Sequence, residues 1–219
     1  MPVDGGLTSY KNDEELERES EECGFRFQYG CYNDKIPDSC HSLAVWFKLY
    51  KDNIKKAMEV YQLNCETHNH PESCIAYALG LLHGDHGVVD KPAAMKIFKK
   101  NCKENSHGRS CYVIGDIKAG GTINQKPDLK KGLEYYIKSC DLGFDRGCCA
   151  SGLINLFDKQ NVKKDYEKAA GFLTKACNLN YPEACYNLAL MYRDGLHFEK
   201  DESKCIELLN HFKKLMGMN

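Results

Sequence analysis

DYEKAAGFLTKACNLNYPEACYNLALMYRDG, residues 165–195, decides how the whole chain is read. Cys177 and Cys185 bracket a short polar stretch, with an apolar helical pattern on each side. Counting back from Cys177, Leu173 stands four residues earlier, Ala169 eight and Asp165 twelve. Spacings of four and eight place side chains on one helical face, and a small residue there lets a second helix approach closely. Asp165 is a good N-cap for the helix so defined. Forward from Cys185, Ala189 stands four places on, and Gly195 closes the pattern as a helix C-terminus does. The stretch therefore reads as one helix, a short loop and a second, antiparallel helix.

The same frame recurs along the chain. Brackets open at Cys31 (CYNDKIPDSC), Cys65 (CETHNHPESC), Cys102 (CKENSHGRSC) and Cys140 (CDLGFDRGC), so that with Cys177 the steps are 34, 37, 38 and 37 residues. Periods of this size belong to stacked helix pairs. The position four before each bracket is Phe27, Tyr61, Phe98, Tyr136 or Leu173, and the position eight before is Cys23, Ala57, Ala94, Gly132 or Ala169. Asn53, Asp90 and Asp128 stand where Asp165 does. After the second cysteines, small residues recur at Ala44, Ala78, Gly115, Gly152 and Ala189, and loop glycines at Gly84, Gly120 and Gly195. FDKQNVKKD in the fourth repeat lacks that glycine, so its turn is expected to differ. The expected fold is all-α: a right-handed α/α superhelical solenoid of five repeats with an extra N-terminal helix. Its borders are a flexible tail at 1–12, a helix at 13–31, and repeats at about 38–66, 72–104, 108–141, 146–178 and 182–216.

Each bracket joins the end of one helix to the first turn of the next, which brings its two Cβ atoms within disulfide reach. The expected pairs are Cys31–Cys40, Cys65–Cys74, Cys102–Cys111, Cys140–Cys148 and Cys177–Cys185; the competing reading is a set of buried free thiols. Cys149 rivals Cys148, which is preferred because Gly152 then keeps the small-residue register. Cys23, Cys149 and Cys205 remain as free thiols. Cys23 and Cys205 occupy the small-residue slot and read as buried small hydrophobes, whereas Cys149 is the candidate for an exchanging thiol.

Composition narrows the function. The 219 residues carry a net charge of −1 and 42% hydrophobic residues, with no run of about 18 apolar residues. Nucleic-acid binding and a membrane span are not expected. The N-terminal MPVDGGLTSYKNDEELERESEEC has no apolar run and is acidic, and so is expected to be neither a secretory signal nor a matrix presequence. Thirteen cysteines nevertheless suit an oxidising compartment. Targeting and composition conflict.

The pattern in KACNLNYPEACYNLALMYRDG and DYEKAAGFLTKAC resembles the SEL-one-like repeat, a relative of the tetratricopeptide repeat, and the resemblance runs from about residue 20 to the end. Two groups carry the cysteine-clamped version. The secreted cysteine-rich proteins of Helicobacter imply penicillin binding or a β-lactamase-like activity, and should have a signal peptide. The cytochrome c oxidase assembly factors of the SEL-one-like type look closer, with an acidic leader, a lone N-terminal helix, five clamped repeats and spare cysteines. That resemblance implies the mitochondrial intermembrane space, import by the oxidative relay that traps cysteine-bearing chains, and protein partners in assembly of cytochrome c oxidase (complex IV). Oxidative trapping would resolve the conflict over targeting. The resemblance also implies a second reading, a haem-binding thiol–disulfide reductase acting on copper-delivery proteins.

The residues themselves offer little catalysis. S-x-x-K, G-x-S-x-G, Walker and C-x-x-C patterns do not occur. His68, His70 and His107 lie inside successive brackets and are the haem or copper candidates, since imidazole suits both; His83 and His86 lie in a loop at the other end of their repeat. Acidic DEELERESEE, residues 13–22, is a solvated helix face or a lure for a basic partner. The expected protein is a monomeric, non-enzymatic scaffold without an obligatory cofactor.

Overall fold

The structure, a computed structural model, describes residues 12–85, 87–121, 126–158 and 161–218. The expected tail lies outside the described residues except for Asn12, and so does His86. Eleven α-helices and no β-strand are present among the described residues. The chain divides into two compact units, Met1–Ala94 and Met95–Asn219. The first holds α1 (Asp13–Tyr32), α2 (Pro37–Leu49), α3 (Ile54–His68), α4 (Pro71–His83) and the start of α5 (Lys91–Glu104). The second holds the rest of α5 and then α6 (Gly108–Gly120), α7 (Leu129–Asp141), α8 (Asp145–Leu156), α9 (Tyr166–Asn178), α10 (Pro182–Asp194) and α11 (Glu202–Leu215).

Capping starts every second helix where the sequence places it. The side chains of Asn53, Asp90, Asp128, Asp165 and Asp201 accept from the N–H groups of Lys56, Ala93, Lys131, Lys168 and Lys204 at 2.8–3.1 Å. Asn12 and Glu15 form a reciprocal capping box on α1. At the other end, Gly84 (φ 81°) and Gly195 (φ 71°) stop α4 and α10 in the left-handed region that glycine enters without penalty. The glycine-free fourth turn differs, as expected: α8 runs out at Phe157 into extended backbone.

Helix pairs then close on small residues. A Cβ on Gly115 would sit 2.7 Å from the Tyr136 ring, and one on Gly132 would sit 2.8 Å from Ala119 Cβ, so α6 and α7 touch almost backbone to backbone. Ala57 and Ala169 fill the same slot and are buried. In α1 the register moves by one residue. The expected slot, Cys23, is half-buried, and its neighbour Gly24 is the residue enclosed. The cause is Trp46, whose ring occupies the space a Gly24 side chain would need.

The loop inside each bracket also has one rule. A single residue enters the left-handed region five places before the second cysteine: Lys35, Asn69, Ser106, Gly143 or Asn180. The two bracket lengths therefore differ on the side of the first cysteine. In the shorter ones the Phe144 and Tyr181 N–H groups donate to the Ser139 and Ala176 carbonyls, the six-residue closure of a Schellman turn. In two of the longer ones Ile36 and His107 donate to Gly30 and Asn101, one residue further back.

Candidate functional site

The cysteine brackets hold ten of the thirteen cysteines at their ends and enclose His68, His70 and His107. The structure joins Cys31 to Cys40, Cys65 to Cys74, Cys102 to Cys111, Cys140 to Cys148 and Cys177 to Cys185 as disulfides, with Cα–Cα distances of 4.4–4.9 Å. The residues just before the two cysteines of each bracket meet one another, and their sizes are complementary. Gly30 lies against Ser39, and Gly147 against Ser139, each leaving no room for a Cβ. Asn64 Nδ2 donates to Ser73 Oγ at 2.7 Å, and Asn101 Nδ2 to Ser110 Oγ at 3.1 Å. The last bracket uses Ala176 and Ala184, both fully buried. Asn64 Nδ2 also donates to the Pro37 carbonyl, and Ser139 Oγ to the Gly108 carbonyl, which ties these two brackets to the first residues of α2 and α6. These buried donors are paired, although Asn64 Oδ1 is buried without a hydrogen-bond partner among the described residues, and the pairing fixes the geometry of the junctions that carry it.

His70 is part of that network. It is the N-cap of α4, where its Nδ1 accepts from the Ser73 N–H at 3.2 Å and lies 3.1 Å from Ser73 Oγ. Its Nε2 is 3.0 Å from Asp38 Oδ1. Asp38, His70 and Ser73 thus line up like an acid–base–nucleophile relay, but Ser73 is fully buried and its hydroxyl also takes the Asn64 amide and His41 Nδ1. A substrate carbon could not reach that oxygen, so the line is a helix cap. Burial holds the His41 pKa down, with His70 adding to the effect, so the imidazole is neutral at pH 7.

The haem candidates sit in different local settings. Both nitrogens of His70 are engaged, so axial ligation would displace either the Ser73 cap at Nδ1 or Asp38 at Nε2. His107 Nδ1 lies 3.0 Å from Ser110 Oγ at the start of α6, in the second unit, and His68 closes α3, half-buried, in the first. Among the described residues, the one group of three metal-ligating side chains is Cys177, Cys185 and His211, and two of these are bonded to each other.

The spare thiols divide by environment. Cys149 is buried, and its pKa is pushed up to about 12, first by burial and then by Glu183 and Asp145. At pH 7 about one molecule in 10⁵ carries the thiolate that attacks a disulfide, so an exchanging role finds no support in this environment. Cys205 is buried in α11, whereas Cys23 is half-buried on α1. In the native, oxidised chain, N-ethylmaleimide at pH 7 should therefore label Cys23 at least about a hundredfold faster than Cys149 or Cys205. Mass spectrometry of timed quenches checks this, and prompt labelling of Cys149 would overturn the buried-thiol assignment.

The first unit also carries a groove of about 670 Å³ between α1, α2 and α3. Tyr32, Trp46, Phe47 and Leu63 supply apolar walls, with Lys51 and Lys56 set over the Trp46 and Phe47 rings at 5.1 and 5.4 Å. Phe25 and Tyr29, on the exposed side of α1, add large apolar side chains open to solvent. Such aromatic surface with a polar rim suits protein partners. The periodicity of the core hid it, because these residues lie off the repeating apolar positions.

Comparisons with known proteins agree with this architecture. The Sel1 repeat model matches residues 71–106, 108–144, 146–181 and 182–210. The chain is similar to cytochrome c oxidase assembly factor 7 of Xenopus tropicalis, with 32% identity over 217 residues covering 97% of this chain and 94% of that one. Cytochrome c oxidase assembly factor 7A of Xenopus laevis is 31% identical over the same shares. The crystal structure of a Sel1 repeat protein from Oxalobacter formigenes superposes with a TM-score of 0.75 at 16% identity, over 95% of this chain and 92% of that one, a likeness of fold.

Proposed function

Since the chain belongs to the cytochrome c oxidase assembly factor 7 family of Sel1-repeat proteins, we propose that it acts in the assembly of complex IV by binding protein partners. The carrying observation is similarity along nearly the full length of both chains, which extends beyond the residues that the repeat model matches. The chemistry agrees with binding rather than turnover: Ser73 is sealed, Cys149 is protonated, and the aromatic groove between α1, α2 and α3 is open. No helix among the described residues is long and apolar enough to cross a membrane.

A role in building this oxidase places the protein in mitochondria. Within them we assign it to the intermembrane space, because five disulfides need an oxidising compartment. Entry by the oxidative relay and a monomeric working form belong to the same proposal. Cells lacking the protein should hold less than about half the normal assembled complex IV on a native gel, restored by re-expression; a loss of this size follows if an assembly step cannot proceed without its partner-binding surface. Normal complex IV in the null cell would end this reading.

A further inference from the structure

A second groove, of about 370 Å³, lies in the second unit between α7 and the segment leading into α9. Its floor is apolar: Leu133 and Ile137, one helical turn apart on α7, together with Val162, all half-buried. Its rim is basic, with Lys130 from α7, Lys163 and Lys164 from the approach to α9, and Lys168 from the first turn of α9. The one carboxylate in the lining, Asp165, is already committed. It caps α9 and is ion-paired with the Lys168 ammonium at 2.8 Å. Lys164 lies over the Tyr166 ring at 5.4 Å, and among the described residues Lys130 and Lys163 have no anionic partner. The chain as a whole carries a net charge of only −1, so this positive field belongs to the groove and not to the molecule.

We infer that this groove binds an acidic peptide segment of a partner protein, with an aliphatic side chain on Leu133, Ile137 and Val162 and carboxylates on Lys130 and Lys163. Charge complementarity sets the sign of the occupant, and the recessed apolar floor sets its class. A single-stranded nucleic acid would need aromatic platforms for its bases, whereas none of the described lining residues is aromatic and the neighbouring Tyr166 ring is covered by Lys164. An anionic bilayer favours apolar side chains that protrude, whereas these line a depression. Flexible lysine ammonium groups suit carboxylates of varied geometry. The inference stands on the electrostatics of the second unit, independently of the complex IV reading: peptide capture and oxidase level in null cells can fail separately.

The test is fluorescence anisotropy of the full oxidised chain with a fluorescein-labelled peptide, Glu-Glu-Leu-Glu-Glu-Ile-Glu-Glu. One equivalent should bind saturably at about 50 mM salt and weaken severalfold at about 300 mM as screening shortens the reach of the lysines. The double variant Lys130→Glu, Lys163→Glu should weaken binding at least about tenfold, and the milder Lys130→Gln, Lys163→Gln should fall between. Both lysines are exposed, so circular dichroism should not change. Unchanged affinity in the charge-reversed protein would overturn the site. Equal affinity for a peptide with serine in place of leucine and isoleucine would overturn the role of the floor. Tighter binding of an oligothymidine or of anionic vesicles, lost in the double variant, would replace the proposed occupant.

Discussion

Full reduction of the five disulfides should unfold the chain. Each bridge closes a loop of eight or nine intervals, and the chain entropy removed from the unfolded state by a loop of that size stabilises the fold by about 2.5 kcal/mol. Five local, independent loops together contribute of order 12 kcal/mol, as much as the entire stability of an ordinary domain. Repeats contact mainly their neighbours, as α7 with α8 and α9 with α10 do here, so no distant core compensates for a loosened junction. The oxidised protein should melt cooperatively, and the same protein in a phosphine reductant should lose most of its helical signal at room temperature. The double variant Cys140→Ser, Cys148→Ser should cost about 2.5 kcal/mol, and a nine-interval bracket should cost the same within about 0.2 kcal/mol, because loop entropy grows slowly with length. A reduced chain that melts within about 10 °C of the oxidised one would show that packing alone holds the repeats.

The repeat was legible in the sequence because its determinants are periodic and chemically marked. Asp128 and Asp165 announce helix starts, Gly132 and Ala169 mark the close contacts, and the brackets mark the turns. The left-handed residue of each bracket was not legible, because Lys35, Asn69, Ser106, Gly143 and Asn180 share a place but not a chemistry. The interlock one residue before each cysteine was visible only as pairs. Gly30 with Ser39 and Ser139 with Gly147 keep the same bulk while exchanging sides, a regularity that single positions do not reveal. His70 stands out in the sequence only by its residue type and its place inside a bracket; its role as the N-cap of α4 was hidden because the Nε2 partner, Asp38, lies 32 residues away. The basic groove was hidden for a similar reason. Lys130 and the Lys163–Lys164 pair look like separate solvated charges until α7 and the approach to α9 bring them around one apolar floor.

Replacing Trp46 with alanine should free the N-terminal part of α1 while leaving its end anchored. Few α1 side chains are buried, and its first turns are exposed all round. What holds its middle is the Trp46 ring, set against the backbone at Gly24, with its Nε1–H donating to the Ser20 carbonyl at 2.8 Å. Lys51 reinforces the contact by lying over the same ring and pairing with Glu21. Trp46→Ala removes a large buried side chain, a loss of about 3–5 kcal/mol. The Cys31–Cys40 bridge still ties down the end of the helix, so the response should be local opening and not global unfolding. Amide exchange between residues 13 and 27 should accelerate about a hundredfold or more, and trypsin should cut after Arg18 and Arg26 first. Trp46→Phe keeps most of the ring and loses the hydrogen bond, so it should cost about 1–2 kcal/mol. Gly24→Val attacks the contact from the other side, because its Cβ would enter the indole, and should reproduce the alanine variant. If α1 keeps its protection in both Trp46→Ala and Gly24→Val, the helix is held by its disulfide alone. Because Trp46 also forms a wall of the first-unit groove, the same variants would then separate loss of that groove from loss of α1.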